Sequence, residues 1–290
     1  MKKISHPLRR FYQKRVIPHI RKELGIDSMY DNIMTVLDSA VDITKCKPAT
    51  GKLREIQLAD TELLKLFDLI CKKNNLTYWL DWGTLLGAVR HQGFIPWDDD
   101  LDVCMPWDDY LRAIPILSGF FSGIDGFSVE SKEKAEQRWM WVNHWKAGVL
   151  IDIFPVMPLR LSESATEETV IEAIRSCRSN NTAGSQEDRA TRINGYRTVY
   201  YYINFPTLFY HFSEDTIFPL KTLPFEQYEL NVPNNCDRYL TIQYKNYMAF
   251  PRGNMLHHSA LTDNTSFTND ALHGALETIR ALQKKEKETS

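Results

Sequence analysis

Apolar residues recur at helical spacing in two segments of the chain. The first segment carries Leu63, Leu66, Phe67 and Ile70. We expect its helix to begin at Asp60, whose carboxylate suits an N-cap, and to end at Asn74. The second segment, residues 270–285, predicts an amphipathic helix near the end of the chain. Residues 167–177 predict a further helix, and the polar residues 179–185 predict a loop.

Short apolar runs bounded by turn residues predict strands. These runs are residues 76–80, 101–105, 127–129, 139–145 and 149–154. Pro155 and Pro158 are expected to end the last run, because proline cannot donate a hydrogen bond to a neighbouring strand. A turn at Gly83-Thr84 and a short helix over residues 85–90 separate the first two strands. The pattern predicts an α+β fold, with a small mixed sheet flanked by helices and an irregular and helical C-terminal region.

The composition and charge exclude some classes of function. A net charge of −2 and a pI near 6.5 provide no basic field, so we expect no nucleic-acid partner. The five cysteines follow no metal-binding or disulfide spacing, which predicts reduced thiols. The sequence has no apolar run of about eighteen residues, the length that suggests a membrane span, and no signal-peptide pattern. We therefore expect a cytoplasmic protein.

Residues 1–50 are predicted to form a basic helical arm and a linker. The arm carries Lys2, Lys3, Arg9, Arg10, Lys14, Arg15, Arg21 and Lys22, against a single acidic residue, Glu23. One interpretation is a solvated basic arm. The other is contact with anionic lipid headgroups, since apolar side chains over residues 8–20 could form a stripe between the charges. The second interpretation would place the protein peripherally on the inner face of the cytoplasmic membrane.

Four carboxylates are crowded into residues 98–102. They belong to Asp98, Asp99, Asp100 and Asp102. Carboxylates this close repel one another, so a fold that orders them must protonate some of them or supply a cation. If the alternate residues of this strand face inward, Asp100 and Asp102 share the opposite face, where their oxygens suit Mg²⁺ or Mn²⁺. For Asp98 and Asp99, the alternative is a capped turn with hydrogen bonds to local backbone N–H groups.

Asp152 lies inside an otherwise apolar strand, residues 149–154. A carboxylate in such a strand is costly unless it is paired, hydrogen-bonded or bound to a metal. One interpretation is a salt bridge to Arg138 or Lys146. The other is a third metal ligand or a general base.

A phosphate site is predicted at Gly83-Thr84, which opens a helix directly after a strand. The free N–H groups and the dipole of a helix N-terminus favour phosphate. Arg90 suits bidentate phosphate contact at the other end of the helix. For His91, a surface position and a phosphate contact are both open.

Two neighbouring segments resemble the signature of the LicD family, the phosphorylcholine-transferase-like group related to fukutin and fukutin-related protein. They are residues 79–91, WLDWGTLLGAVRH, and residues 93–103, GFIPWDDDLDV. The resemblance covers about residues 50–260 and implies a catalytic domain at 51–260 with a nucleotidyltransferase-like core at about 60–160. The arm and linker at 1–50 and a C-terminal helix and tail at 261–290 lie outside it.

The resemblance also implies roles for individual residues. The superfamily pattern is a Gly-Ser or Gly-Thr turn, an Asp-x-Asp on the next strand and an acidic residue on a later strand. Its positions here are Gly83-Thr84, Asp100 with Asp102, and Asp152. The three aspartates would hold Mg²⁺ or Mn²⁺ and serve catalysis, while Gly83, Thr84 and Arg90 would bind the donor phosphates. Asp152 could also deprotonate the acceptor.

The activity that the resemblance implies is transfer of a phospho-alcohol, with phosphocholine from CDP-choline as the leading case, and release of CMP. The acceptor would be a hydroxyl of a surface glycan or glycolipid, such as lipopolysaccharide, capsule or teichoic acid. Trp79, Trp82 and Trp97 could stack on the donor or contact choline, although core packing is the commoner fate of tryptophan. His257 and His258 could join the site or be structural.

Three other functions compete with this one. A nucleotidyltransferase that transfers NMP would use the same carboxylates. A nucleotide-sugar glycosyltransferase is less favoured, because its nucleotide-binding half of about a hundred residues would precede the Asp-x-Asp. A non-catalytic adaptor would become attractive if one of the three carboxylates were missing, and all are present.

Overall fold

The computed structural model describes residues 22–134, 137–179, 195–205, 207–250 and 268–288. These residues divide into two compact units. The smaller unit comprises residues 22–46 and 248–250, with helix α1 (Ile26–Ala40) and a 3-10 turn (Ile43–Lys45). Within it, the carboxylate of Asp38 accepts a hydrogen bond from the backbone N–H of Phe250 at 2.9 Å.

The larger unit contains the other described residues and has the predicted α+β fold. Its helices are α2 (Gly51–Lys73), α3 (Trp82–His91), α4 (Trp107–Phe121), α5 (Glu167–Ser179), α6 (Glu214–Ile217), α7 (Cys236–Tyr244) and α8 (Asn269–Glu288). Its strands are β1 (Trp79–Leu80), β2 (Leu101–Pro106), β3 (Ser128–Lys134), β4 (Gln137–His144), β5 (Val149–Ser162), β6 (Tyr196–Tyr202), β7 (His211–Ser213), β8 (Lys221–Phe225) and β9 (Tyr228–Val232). No described helix is both long enough and apolar enough to cross a bilayer.

Seven of the strands form one mixed sheet. Its main path runs β1-β2-β5-β4-β3, and β6 joins β5 and carries β7 on its other side. The β2–β5 pair is parallel, while the other pairs are antiparallel. Strands β8 and β9 form a separate hairpin. The parallel pair matters for function, because it brings two distant segments of the chain into direct register.

The two faces of β2 and β5 differ in polarity, as the alternation of a strand requires. Leu101, Val103, Ile151 and Ile153 are all fully buried on one side, which we call the back face. The intervening positions form the front face, and there Asp102 lies opposite Asp152. Leu101 and Val103 therefore face inward, which is the condition under which Asp102 was expected on the opposite face.

The boundary predicted for the first long helix was wrong. Helix α2 begins at Gly51, and Asp60 lies well inside it instead of capping it. The apolar stripe continues upstream through Ile56 and Ala59, both fully buried. Asp60 is also fully buried and accepts a hydrogen bond from the backbone N–H of Leu150 at 2.9 Å. A good capping residue inside a helix thus bonds a distant backbone group instead.

Strand β5 continues past both prolines that were expected to end it. Pro155 lies opposite Met105 of β2, at a point between the end of the β4 pairing at Ile153 and the start of the β6 pairing at Val156. Pro158 lies opposite β6, beyond the end of the β2 pairing. Each proline therefore lies where only one edge of the strand is paired, and the missing N–H is tolerated.

The other predicted elements have mixed outcomes. The helices at 85–90, 167–177 and 270–285 and the strands at 101–105 and 139–145 are confirmed with small changes of boundary. The strand at 149–154 is confirmed as well, but it continues to Ser162. The strand at 76–80 shortens to Trp79–Leu80, and the one at 127–129 becomes the longer β3. The region after residue 195, predicted as irregular, contains β6 to β9, α6 and α7. Most of the predicted loop at 179–185 lies outside the described residues.

Candidate active site

The three carboxylates predicted to bind metal lie together. Asp102 on β2 and Asp152 on β5 are directly opposite each other in the parallel register. Asp100, Asp102 and Asp152 each offer one carboxylate oxygen, and these oxygens all lie within 4.8 Å of one another. Asp98, Asp99 and Asp100 form a second group that meets the same limit. Asp100 belongs to both groups and therefore links them.

Burial and the charges of their neighbours make two of these carboxyl groups, Asp102 and Asp98, hard to ionise. Burial raises the pKa of Asp102 well above its usual value, and the charges of Asp100 and Asp152 raise it further. The pKa of Asp98 is likewise raised well above its usual value, first by burial and then by Asp100 and Asp99. A divalent cation would relieve this repulsion, and an all-carboxylate oxygen set at this spacing fits Mg²⁺ or Mn²⁺.

The start of helix α3 lies against the carboxylates. A Cβ atom on Gly83 would lie 2.6 Å from Oδ2 of Asp98 and 3.8 Å from Oδ2 of Asp102, so only glycine fits without displacement. The hydroxyl of Thr84 accepts a hydrogen bond from the backbone N–H of Asp102 at 2.8 Å. Thr84 therefore fastens α3 to β2, and its hydroxyl hydrogen remains available to a second acceptor.

Arg90 and His91, at the end of α3, differ in charge. Arg90 is only 6% exposed, donates to the backbone carbonyl of Tyr247 at 3.0 Å, and carries a positive charge that opposes the rise in the pKa of Asp98. Burial, with a smaller effect from Arg90, lowers the pKa of His91 to about 4. His91 is therefore neutral near pH 7 and offers no positive charge to a phosphate. Arg90 is charged and can pair with one.

A hydrogen-bond hub that was not predicted from the sequence lies at the start of α3. Asp81 is fully buried and accepts hydrogen bonds from the backbone N–H of Trp82 and from three side chains. The donors are Tyr202 at 2.7 Å, Gln243 at 2.9 Å and Tyr239 at 3.1 Å. Burial raises the pKa of Asp81, and these hydrogen bonds oppose the rise. The signal was present, because Asp81 lies within the aromatic run WLDW.

Two polar side chains of α2 hold the segments that lead into the carboxylates. Gln57 is buried and donates to the backbone carbonyl of Asp98 at 2.8 Å. Asp60 accepts from the N–H of Leu150, two residues before Asp152. Gln57 and Asp60 lie three positions apart on one helix face, so α2 fixes both carboxylate segments.

Three tryptophans were candidates for contact with the donor, and their surroundings differ. Trp79 is fully buried and donates its indole N–H to Tyr239 at 3.1 Å, so it is a core residue. Trp82 lies among four aromatic rings, with centroids 5.3 to 6.2 Å away: Tyr202, Phe205, Tyr210 and Tyr244. Trp97 is half-buried. His257 and His258 lie outside the described residues.

Comparison with known proteins identifies the family of this site. The profile described as LicD/FKTN/FKRP, nucleotidyltransferase domain, matches residues 75–235, more than half of the 290-residue chain. The match covers the Gly83-Thr84 turn and the carboxylates of Asp100, Asp102 and Asp152. The resemblance predicted from the signature residues is confirmed.

Individual relatives match over shorter segments. The chain is similar to the lipopolysaccharide cholinephosphotransferase LicD of Haemophilus influenzae, with 48% identity over 64 residues, 22% of this chain and 24% of the relative. An uncharacterized protein of Rickettsia typhi is 40% identical over 76 residues, 24% of this chain and 25% of that protein. Mannosyltransferase regulator 4 of Saccharomyces cerevisiae is 30% identical over 69 residues, 24% of this chain and 6% of that protein. The chain thus matches about a quarter of the length of the two bacterial relatives.

Proposed function

Because the chain belongs to the LicD/FKTN/FKRP nucleotidyltransferase-domain family, we propose that it is a metal-dependent phosphotransferase. It moves a phospho-alcohol, phosphocholine in the leading case, from a CDP-linked donor to a hydroxyl of a cell-surface glycan or glycolipid and releases CMP. The observation that carries the proposal is the meeting of Asp100, Asp102 and Asp152 within 4.8 Å beside the start of α3. The name of the Haemophilus influenzae relative supports phosphocholine as the group and lipopolysaccharide as an acceptor.

Different residues of the chain would bind the metal ion and the donor phosphates. Asp100, Asp102 and Asp152 would hold Mg²⁺ or Mn²⁺, which supplies positive charge against the donor diphosphate. Gly83 lets a phosphate oxygen approach the N–H groups at the start of α3, where the helix dipole also favours it. Thr84 keeps this helix end against β2, and Arg90 adds positive charge to the same region.

The transfer itself needs a proton acceptor. The hydroxyl oxygen of the glycan attacks the phosphorus that carries the alcohol, and the bond from that phosphorus to the CMP oxygen breaks. The carboxylate of Asp152, half-buried on the front face, takes the hydroxyl proton. CMP leaves with the bonding electron pair, and the transferred phosphate, which is an ester of the alcohol alone in the donor, becomes a diester of the alcohol and the glycan.

A screen of donors tests the proposal. The purified protein is incubated with Mg²⁺ and CDP-choline, CDP-glycerol or CDP-ribitol, and CMP release is measured. We expect release with at least one donor, and a loss of about 100-fold or more in Asp102→Ala, because the variant lacks a carboxylate that would hold the metal ion against the donor diphosphate.

The matched control is Glu172→Ala, which removes an exposed carboxylate from α5 and should leave CMP release unchanged. Undiminished turnover in Asp102→Ala would refute the role of the carboxylates. A native protein that is inactive with every CDP-alcohol but transfers NMP from a nucleoside triphosphate would instead favour the nucleotidyltransferase reaction.

The basic arm supports a location on the cytoplasmic side, at the membrane surface where the glycan acceptor is made. We predict that the native chain binds anionic vesicles, that rising salt weakens the binding, and that removal of residues 1–24 abolishes it. Co-sedimentation with anionic and with neutral vesicles measures this. Equal binding to both kinds of vesicle would contradict an electrostatic arm.

A further inference from the structure

The front face of the sheet continues beyond the carboxylates onto β4. Asp152 lies opposite Asp102 on one side and opposite Trp141 on the other. Residues directly opposite each other in a sheet share a face, so Trp141 projects from the same face as both carboxylates. Trp139 precedes Trp141 by two positions and shares that face as well. The sequence signal is the alternation WMW at residues 139–141.

The two indole rings form a surface that we call the tryptophan platform, Trp139 and Trp141. Their centroids lie 6.1 Å apart with an interplanar angle of 41°, and both side chains are half-buried. The ammonium of Lys132 lies over the Trp139 ring, 4.6 Å from its centroid. The indole N–H of Trp141 is buried and has no hydrogen-bond partner among the described residues. The platform therefore already attracts a cation and has an unused donor beside the carboxylate site.

We propose that the tryptophan platform binds the quaternary ammonium of the donor's choline group while the phosphate lies at the neighbouring carboxylates. This proposal rests on the proposed function and assigns the part of the site that selects the alcohol. The ammonium face of choline carries only methyl groups, so it loses little hydration when it displaces the Lys132 ammonium from an indole ring. Indole is the strongest cation–π partner among the side chains.

The dimensions of the sheet fit this arrangement. Two carbon atoms and the ester oxygen separate the nitrogen of choline from its phosphorus, a reach close to the spacing of adjacent strands, about 4.8 Å. A phosphate near Asp152 on β5 therefore places the nitrogen over β4. Trp82 fits the role less well, because Tyr202, Phe205, Tyr210 and Tyr244 already pack around its ring. Trp79 is enclosed in the core.

The charge near the platform also favours a cation. Glu130 on β3 lies opposite Trp141 and continues the same row across the sheet. The hydrogen bond from the Trp145 indole lowers the pKa of Glu130 first, followed by those from Asn143 and Ser128, so Glu130 is ionised near pH 7. An anion at the rim of an aromatic surface adds to the attraction for an ammonium group.

The test measures binding rather than turnover. Dissociation constants for phosphocholine and phosphoethanolamine are measured by calorimetry, with Mg²⁺ present, on the native protein and on Trp139→Leu and Trp141→Leu. We expect the native protein to prefer phosphocholine by about tenfold, and each variant to lose most of that preference while its affinity for phosphoethanolamine stays within about threefold. Tyr196→Leu, which replaces an exposed aromatic residue of β6 that has the cation of Arg160 over its ring, is the control and should keep the full preference.

Circular dichroism verifies that each variant is folded, and Trp139→Leu, at the less central position, carries the test if Trp141→Leu is unstable. The platform is overturned if both folded variants keep the preference, or if the native protein shows none. CMP release from CDP-choline, measured in parallel, separates the two proposals. Release with an unchanged preference in the variants removes only the platform, whereas a Trp-dependent preference without any CMP release supports the platform and counts against the transferase.

Discussion

At Gly83 the absence of a side chain allows helix α3 to touch the carboxylates. The position that a Cβ would occupy is 2.6 Å from an oxygen of Asp98, well inside van der Waals contact. The carboxylate of Asp98 already clusters with those of Asp99 and Asp100, so a shift that made room for a Cβ atom would disturb that cluster. The glycine therefore serves close packing, and no left-handed backbone conformation is involved.

We predict that Gly83→Ala lowers CMP release at least about tenfold and destabilises the protein by about 1–3 kcal/mol, because the added methyl group overpacks the site. Activity assays and urea unfolding measure the two effects. Gly274→Ala is the control, since Gly274 lies in α8 with no atom within 4 Å of its added methyl. Alanine there should leave activity unchanged and slightly raise stability. Equal activity in the two variants would contradict the role assigned to Gly83.

The sequence predicted the three central aspartates because a carboxylate inside an apolar strand, or crowded among others, has a recognisable cost. The same argument applies to Asp81 and could have identified it, since Asp81 also lies in an apolar run. Gln57 could not have been found in this way. A glutamine on a helix carries no distinguishing cost until its partner, the carbonyl of Asp98, is known.

Helix α3 is the element on which the site depends, and it is held at both ends. Its start is fixed by the Asp81 hub and by Thr84. Just beyond its end, the backbone N–H of Phe94 donates to Glu226, which forms a two-bond ion pair with Arg54 at 2.6 and 2.8 Å. The pair links α2, the segment after α3 and the β8–β9 turn.

We predict that Arg54→Met destabilises the protein by about 1–3 kcal/mol near pH 7, since it removes a charge-assisted pair and leaves Glu226 half-buried without its cation. Burial is the largest single effect and raises the pKa of Glu226, but the hydrogen bond and the charge of Arg54, together with the N–H of Phe94, outweigh it and the net pKa is lowered. A lowered pKa contributes stability that is present above the unfolded-state pKa and is lost as pH falls through the folded-state pKa.

The stability difference between native protein and Arg54→Met should therefore shrink below about pH 4. Chemical unfolding at several pH values measures it. Lys45→Met is the control, because Lys45 forms an exposed ion pair with Asp42 that should contribute nothing measurable. A difference that stays constant down to acidic pH would show that Arg54 acts by packing alone.

The type of an element was predictable where apolar residues recurred at helical spacing over a long segment, as in α2 and α8. It was also predictable where a strand was buried, as in β2. Element ends were not, because they depend on tertiary partners. Asp60 is a capping type, yet its partner is the N–H of Leu150 on another element. A proline ends a strand where both edges of that strand are paired. No local signal in the sequence shows that β5 has one unpaired edge at Pro155 and at Pro158.

At the scale of the whole molecule, the carboxylates set a dependence of stability on pH and on divalent cations. Burial, reinforced by neighbouring charges, raises the pKa of Asp102 and of Asp98. For a raised pKa, the stabilising contribution is present at low pH and is lost as pH rises through the folded-state pKa. Without a cation, the site therefore weakens the fold progressively as pH rises.

We predict that Mg²⁺ raises the melting temperature more at about pH 8 than at about pH 5, because the ionised carboxylates bind it and their repulsion is relieved. Thermal unfolding with Mg²⁺ and with EDTA measures both shifts. Asp102→Asn should unfold at a higher temperature than the native protein in EDTA and gain less from Mg²⁺. Equal Mg²⁺ shifts at the two pH values would contradict the linkage.

The Asp81 hub determines which residues a truncated form of this protein must retain. The recognisable family segment stops at residue 235, yet Tyr239 and Gln243, two of the donors to Asp81, come later in the chain. Gln283 of α8 likewise donates to the backbone carbonyl of Glu62 in α2. A fragment limited to residues 75–235 would keep every carboxylate of the site and lose two of the four donors that hydrogen-bond Asp81 at the start of α3. The segment that matches the family is therefore shorter than the part of the chain whose hydrogen bonds hold the site together.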